Sequence, residues 1–176
     1  FPDPFAMRSP ANDPAANHSA TDRLRRLLEG PDLLLMPCCF DGLSARLIEQ
    51  AGCPLTFMSG FAVSAARLAL PDTGLLSYAE MLDQGRSILE AVSIPVIADG
   101  DTGYGNVANV RRTVQGYGRA GFAGVMIEDQ LAPKRCGHTG GKEVVDRTEA
   151  CARIRAAVDA RESGSDILVM ARTDAR

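Results

Sequence analysis

Aspartate and glycine alternate in Asp99-Gly100-Asp101-Thr102-Gly103-Tyr104-Gly105, the composition of a turn built to receive a ligand. Two carboxylates that close repel each other unless a cation joins them. Glycines at this spacing permit a tight backbone path and close approach of a bound group. Glu128-Asp129 and the Asp72 of Leu70-Pro71-Asp72 add further hard oxygen donors. A sparse set of carboxylates suits Mg²⁺, which keeps several waters and is held by one or two acids plus substrate. A solvated glycine-rich turn with capping aspartates is the plainer alternative, and the additional acids favour the metal. Lys134-Arg135-Cys136-Gly137-His138 is a second reactive run. A thiol between cations and a histidine favours its thiolate and is ready for proton transfer. Arg172 can fork onto a substrate carboxylate, or pair with Asp174 or Glu128 instead.

The elements that must carry these residues follow from the hydropathy pattern. Leu33–Met36, Leu55–Met58, Ile94–Ala98, Ala123–Ile127 and Ile167–Ala171 are short continuous apolar runs, as expected for parallel strands covered on both faces. Helices alternate with them. Asp41 caps one that runs toward Gly52, and Ser77 with Glu80 forms a capping box for one ending near Ala91. Asn106 opens a helix that closes at Gly121, and Asp146 with Glu149 opens another. Ala51-Gly52 and Ala120-Gly121 each end a helix just before a strand, where a glycine supplies the left-handed turn.

The last four runs lead into Ser59-Gly60, Asp99-Gly100-Asp101, Glu128-Asp129 and Arg172-Thr173-Asp174, so polar groups gather at one sheet edge. A (β/α)8 barrel builds its site from all of its strand ends, whereas a doubly wound sheet uses one switch point. The expectation is α/β, of the (β/α)8 TIM-barrel type. About five strand–helix units fit the 176 residues, against eight in a closed barrel. Residues 1–20, with four prolines and no periodicity, read as a flexible tail, and residues 21–176 as the N-terminal part of the barrel domain.

Composition narrows the partners. A net charge of −3, no Trp and 5% aromatic residues argue against nucleic acid and anionic membranes. No apolar run approaches the ~20 residues of a membrane helix. The five cysteines form no C-x-x-C pair, which fits a reducing soluble compartment, cytoplasm or plastid. His18 and His138 are the only histidines, so a two-histidine metal centre is excluded.

Lys134-Arg135-Cys136-Gly137-His138 resembles the signature of isocitrate lyases. It is accompanied in order by Ser59-Gly60-Phe61, Leu70-Pro71-Asp72, Asp99–Gly105, Glu128-Asp129 and Ala171-Arg172-Thr173-Asp174. From about Leu24 to Arg176 the chain is similar to the isocitrate lyase/phosphoenolpyruvate mutase superfamily, including its plant-type carboxyvinyl-carboxyphosphonate phosphorylmutase-like, petal death protein and 2-methylisocitrate lyase branches. The resemblance implies a carbon–carbon lyase that cleaves a small 2-hydroxy di- or tricarboxylic acid by retro-aldol chemistry. It implies Mg²⁺, with Mn²⁺ as a substitute, on Asp99, with Asp72, Asp101 and Glu128 completing the shell. Ser59 and Gly60 would bind substrate, partly through backbone N–H groups, with Phe57 and Phe61 beside them. Arg172 would grip a carboxylate, and Cys136 would be the general acid, tuned by Lys134 and His138. A homotetramer is implied for the full-length protein. Phe57 departs from the pattern, standing where many of the lyases carry Tyr. Phosphonate-forming mutases usually lack the cysteine, so Cys136 favours a lyase over them. An oxaloacetate hydrolase or decarboxylase is the second reading, and an inactive structural subunit the third.

Overall fold

The computed structural model describes residues 18–137 and 139–175, so the N-terminal segment to Asn17 and His138 lie outside the described residues. Helix α1 (Ala20–Glu29) precedes β1 (Cys38–Cys39) and α2 (Gly42–Gln50). Strand β2 (Thr56–Met58) runs directly into α3 (Gly60–Leu68), followed by α4 (Tyr78–Ala91). Then come β3 (Val96–Asp99), α5 (Val107–Ala120), β4 (Gly124–Glu128), α6 (Arg147–Glu162) and β5 (Leu168–Arg172). All neighbouring strands pair in parallel, in the order β1-β2-β3-β4-β5. A doubly wound sheet reverses its order at a switch point. Strictly sequential order is that of a barrel, as the polar strand ends imply.

The helices start where side chains offer acceptors to their first N–H groups. Asp41 caps α2, Ser77 and Glu80 form the expected box on α4, and Asn106 caps α5. Asp146 caps α6 alone, because the Glu149 carboxylate turns to Arg153 at 2.5 Å. Gly121, at φ 100°, ends α5 in the left-handed turn that returns the chain to β4.

Strand periodicity separates two apolar layers. Met58, Val96, Ala98, Val125 and Ile127 join α4, α5 and α6 in the larger core. Its centre is Tyr117, whose ring stands 5.0 Å from that of Phe122. The alternate positions, Phe57 and Ile97 with Leu168 and Met126 beside them, pack with Leu24 of α1 on the other face. By the same alternation Asp99, Glu128 and Arg172 lie on that second face, beyond its apolar layer. Glu128 and Arg172 are register partners.

Two details differ from the sequence reading. The run Leu33–Met36 is not a strand: Leu33 and Leu35 are exposed, and pairing begins only at Pro37, whose carbonyl accepts from Phe57 N at 3.1 Å. Proline has no N–H to donate and so serves only as an acceptor at the ladder's edge. The sequence reading named no helix after Ser59-Gly60, yet Ser59 caps α3 through Ala62 N at 3.3 Å.

Candidate active site

The site forms where β3 gives way to its following loop. Asp99 is buried, and its carboxylate accepts from Gly60 N at 3.0 Å and from Asp101 N at 3.1 Å. Gly60 must lack a side chain, since a Cβ there would meet Asp99 Oδ2 at 2.9 Å. Behind the strand end, the hydroxyls of Tyr117 and Tyr104 donate to the Asp99 carbonyl at 3.3 and 3.5 Å. The loop then bends through left-handed conformations at Asp101 (φ 47°), Gly103 (φ 88°) and Tyr104 (φ 61°). For Asp101 and Tyr104 this costs roughly 1 kcal/mol or more each, strain of the kind that collects at functional sites.

Lys134 reaches into this acidic cluster. Its ammonium contacts Asp72 Oδ2 at 2.8 Å and also lies against Asp101 Oδ1, all three side chains being buried. An internal cation thus separates two of the four expected metal ligands, and Lys134 stands with the acids. Burial, then the Asp99 charge, push the Asp101 carboxyl above its ordinary value, against the pull of Lys134. Burial disfavours the Lys134 ammonium, but Asp101 and Asp99 outweigh it and raise its pKa.

Glu128 lies across from this pair on β4, its N–H bonded to the Asp101 carbonyl at 2.9 Å. Oε2 is 3.5 Å from Arg172 Nη1, while the buried Oε1 meets no hydrogen-bond partner among the described residues. Burial holds this carboxyl up at about 7, with Lys134 opposing the shift and Asp99 adding to it. Arg172 itself is forked onto Asp174, with Nη2 at 3.0 Å from Oδ1 and 3.1 Å from Oδ2.

Cys136 is buried at 8% exposure, and its carbonyl accepts from Thr139 N and Oγ1. The adjacent Gly137 packs on Arg172, where a Cβ would run into the guanidinium. The loop of the thiol is therefore in direct contact with the arginine of β5. Phe57 sits in the second apolar layer, and Phe61 is half exposed on the first turn of α3. The N–H groups of Ser59 and Gly60 donate internally, to the Cys39 carbonyl and to Asp99. Arg172 thus makes both of the ion pairs its sequence context offered, with Glu128 and Asp174, and Asp129 and Gln130 join the network; nothing in the local sequence marks Gln130 as a link.

Among the described residues Lys134 pairs with Asp72 and Asp101, and Arg172 with Glu128, so the four acids of the cluster have two cations against them. Among the described residues no three His, Cys, Asp or Glu side chains form a ready-made metal site. The hard oxygens of Asp99 and the unpartnered Glu128 Oε1 nevertheless suit an ion that takes one or two carboxylates and fills its shell with water and substrate.

Sequential strands with an acid, a guanidinium and a thiol at their carboxyl ends define a (β/α)-barrel-type protein. Residues 24–176 match the family model for phosphoenolpyruvate phosphomutase. The 2,3-dimethylmalate lyase of Eubacterium barkeri is 44% identical over 154 residues, covering 88% of this chain and 53% of that protein. The structure of oxaloacetate acetylhydrolase with 3,3-difluorooxalacetate aligns at a TM-score of 0.84 and 44% identity, covering 89% of this chain and 54% of the other. Phosphonopyruvate hydrolase in complex with oxalate and Mg²⁺ aligns at a TM-score of 0.79 and 37% identity, covering 89% and 53%. The chain belongs to the phosphoenolpyruvate mutase family, within the phosphoenolpyruvate mutase/isocitrate lyase superfamily. It spans about half the length of the relatives it matches.

Proposed function

We propose that the protein is a Mg²⁺-dependent carbon–carbon lyase that cleaves a 2-alkylmalate or methylisocitrate-like acid by retro-aldol chemistry. The observation that carries this reading is the contact of the Cys136 loop with Arg172, beside Asp99 and Glu128. That contact supports the reading, because it joins the loop of the proposed proton donor to the proposed carboxylate-binding group at the acidic rim. The dimethylmalate lyase relative supports a branched malate as substrate, and the oxalate–Mg²⁺ complex of phosphonopyruvate hydrolase supports the metal.

Asp99 and Glu128 hold Mg²⁺, with Asp72, Asp101 and Lys134 setting the charge around them. Bound there, the ion supplies positive charge that offsets the negative charge developing on substrate oxygen. Arg172 binds a substrate carboxylate, exchanging part of its fork on Asp174 for it. The 2-hydroxyl passes its proton to solvent and its oxygen becomes the carbonyl of the released 2-keto acid, while the adjacent carbon–carbon bond breaks and its electron pair passes to the departing acid as an enolate. Cys136 returns a proton to that carbon. Lys134 and His138 act on the thiol through their charge, and Ser59, Gly60, Phe57 and Phe61 form the neighbouring wall. A homo-oligomer, a tetramer, is the proposed assembly of the full-length protein.

Cleavage of oxaloacetate is the second reading, favoured by the equal similarity to oxaloacetate acetylhydrolase. Incubating the full-length protein with Mg²⁺ and either 2,3-dimethylmalate or oxaloacetate separates the two. A 2-keto acid released from the first alone supports the lyase. Cys136→Ser lowers that rate by about 10²–10⁴, the usual weight of a positioned general acid, and undiminished turnover removes Cys136 from the mechanism.

A further inference from the structure

Gln130 is 1% exposed, follows directly on the acidic end of β4, and belongs to neither the metal set nor the substrate wall. Every polar group of its side chain is engaged. Oε1 accepts from Arg135 N at 2.8 Å, and Nε2 donates to Asp174 Oδ2 at 2.7 Å. Its own carbonyl accepts from Arg153 Nη1 at 3.0 Å, and its backbone forms an antiparallel bridge with Val144. A buried amide with both ends paired is costly to disturb, because each broken bond strands a desolvated partner.

The partners define a closed circuit. From Arg135 N the bonds run through the Gln130 amide to Asp174, and from Asp174 to the Arg172 guanidinium. Arg172 in turn lies against Gly137. Arg135 and Gly137 flank Cys136, so the circuit leaves the loop on one side of the thiol and returns to it on the other. Asp129 reinforces the far arm, accepting from Asp174 N at 2.9 Å and from Thr173 Oγ1 at 2.6 Å.

We propose that Gln130 is the positioning residue that holds Cys136 in register with Arg172. The amide is suited to this task by its two unlike ends: the carbonyl fixes a loop N–H and the NH₂ fixes a carboxylate. A glutamate cannot donate to Asp174 when ionised, and an apolar side chain can do neither. The consequence for turnover rests on the lyase reading, whereas the positioning itself is tested without turnover.

In the wild-type chain, amide hydrogen exchange followed by NMR should show Arg135 N–H protected about tenfold or more relative to Gly140 and Gly141 of the same loop. Exchange of Arg135 as fast as those glycines overturns the proposal without any variant. Gln130→Met keeps the buried volume and removes both bonds. It should abolish that protection and speed alkylation of Cys136 by iodoacetamide about tenfold, with Cys53, ahead of β2, and Cys151, on α6, as internal references that do not change. An unchanged Cys136 rate in a folded Gln130→Met variant shows that the amide only fills space, and sinks the proposal. Neither measurement depends on which acid the protein cleaves, so failure here leaves the lyase assignment standing.

Discussion

Gly60 and Asp99 are matched across the β2–β3 pair: the glycine N–H donates to the carboxylate at 3.0 Å, and its bare α-carbon makes room for that same oxygen. The first N–H of a helix thereby orients an acid on the neighbouring strand, with the positive end of the α3 dipole behind it. Gly60→Ala inserts a methyl group against Oδ2 and Cγ of Asp99. The expected outcome is a Mg²⁺ affinity weakened at least about tenfold, equivalent to about 1.4 kcal/mol. Calorimetric titration of both proteins checks it, and equal affinities would show that Asp99 does not hold the ion in this orientation.

Lys134 is expected to matter for folding as well as for chemistry. Lys134→Met leaves Asp72 and Asp101 buried beside each other without their cation. Removing one partner of a buried ion pair typically costs about 3–5 kcal/mol. Urea unfolding should show a loss of about that size, partly recovered when Asp72→Asn is added. A loss below about 1 kcal/mol in the single variant contradicts the arrangement.

Glu49 gives a pH signature away from the site. Burial raises its carboxyl, but hydrogen bonds from Ser93 Oγ, Ser93 N and Ile94 N outweigh this and hold it below its ordinary value of 4.5. A depressed acid adds stability that is fully present above 4.5 and is lost as the pH falls through the lower folded value. Glu49→Gln should therefore lower stability at neutral pH by about 1 kcal/mol or less, since the group is partly solvated. The gap to wild type should close toward pH 3 in denaturant titrations, and a pH-independent gap refutes the assignment.

Gly85 lies inside α4, where a glycine costs about 1 kcal/mol relative to alanine. A Cβ at this position would collide with the Phe122 ring. Overpacking costs about 1–3 kcal/mol, so Gly85→Ala should be destabilising overall in spite of the gain in helix propensity. A thermal midpoint raised in that variant would show that Phe122 yields.

Much of this was legible in the residues because its causes are local. Asp41, Ser77 with Glu80, Asn106 and Asp146 satisfy N–H groups two or three positions away, and the apolar runs mark four strands closely. The first strand was displaced because the Leu33–Met36 pattern does not reveal where a partner's hydrogen bonds begin. Helix α3 went unread because the resemblance assigns Ser59-Gly60 to substrate, and a serine that caps a helix looks no different in sequence from one at a strand end. The pairing of Lys134 with Asp72 spans 62 residues, and no spacing rule reports a contact of that range. Gln130 was silent for a related reason: its two partners come from different elements, and its importance lies only in joining them.

The shared alternation along β3, β4 and β5 has a consequence for how the sequence can drift. Asp99, Glu128 and Arg172 face one side of the sheet only because each is an even number of residues from the apolar anchors Ile97, Met126 and Leu168. Deleting one residue within β3 or β4 would turn the acid into the hydrocarbon layer under the helices and bring the residue that follows it, Gly100 or Asp129, to its place. Length changes in the connections between strand and helix carry no such inversion. Insertions and deletions in descendants of this sequence should accordingly be confined to the joints, leaving the spacing between each strand's anchor and its terminal charge untouched.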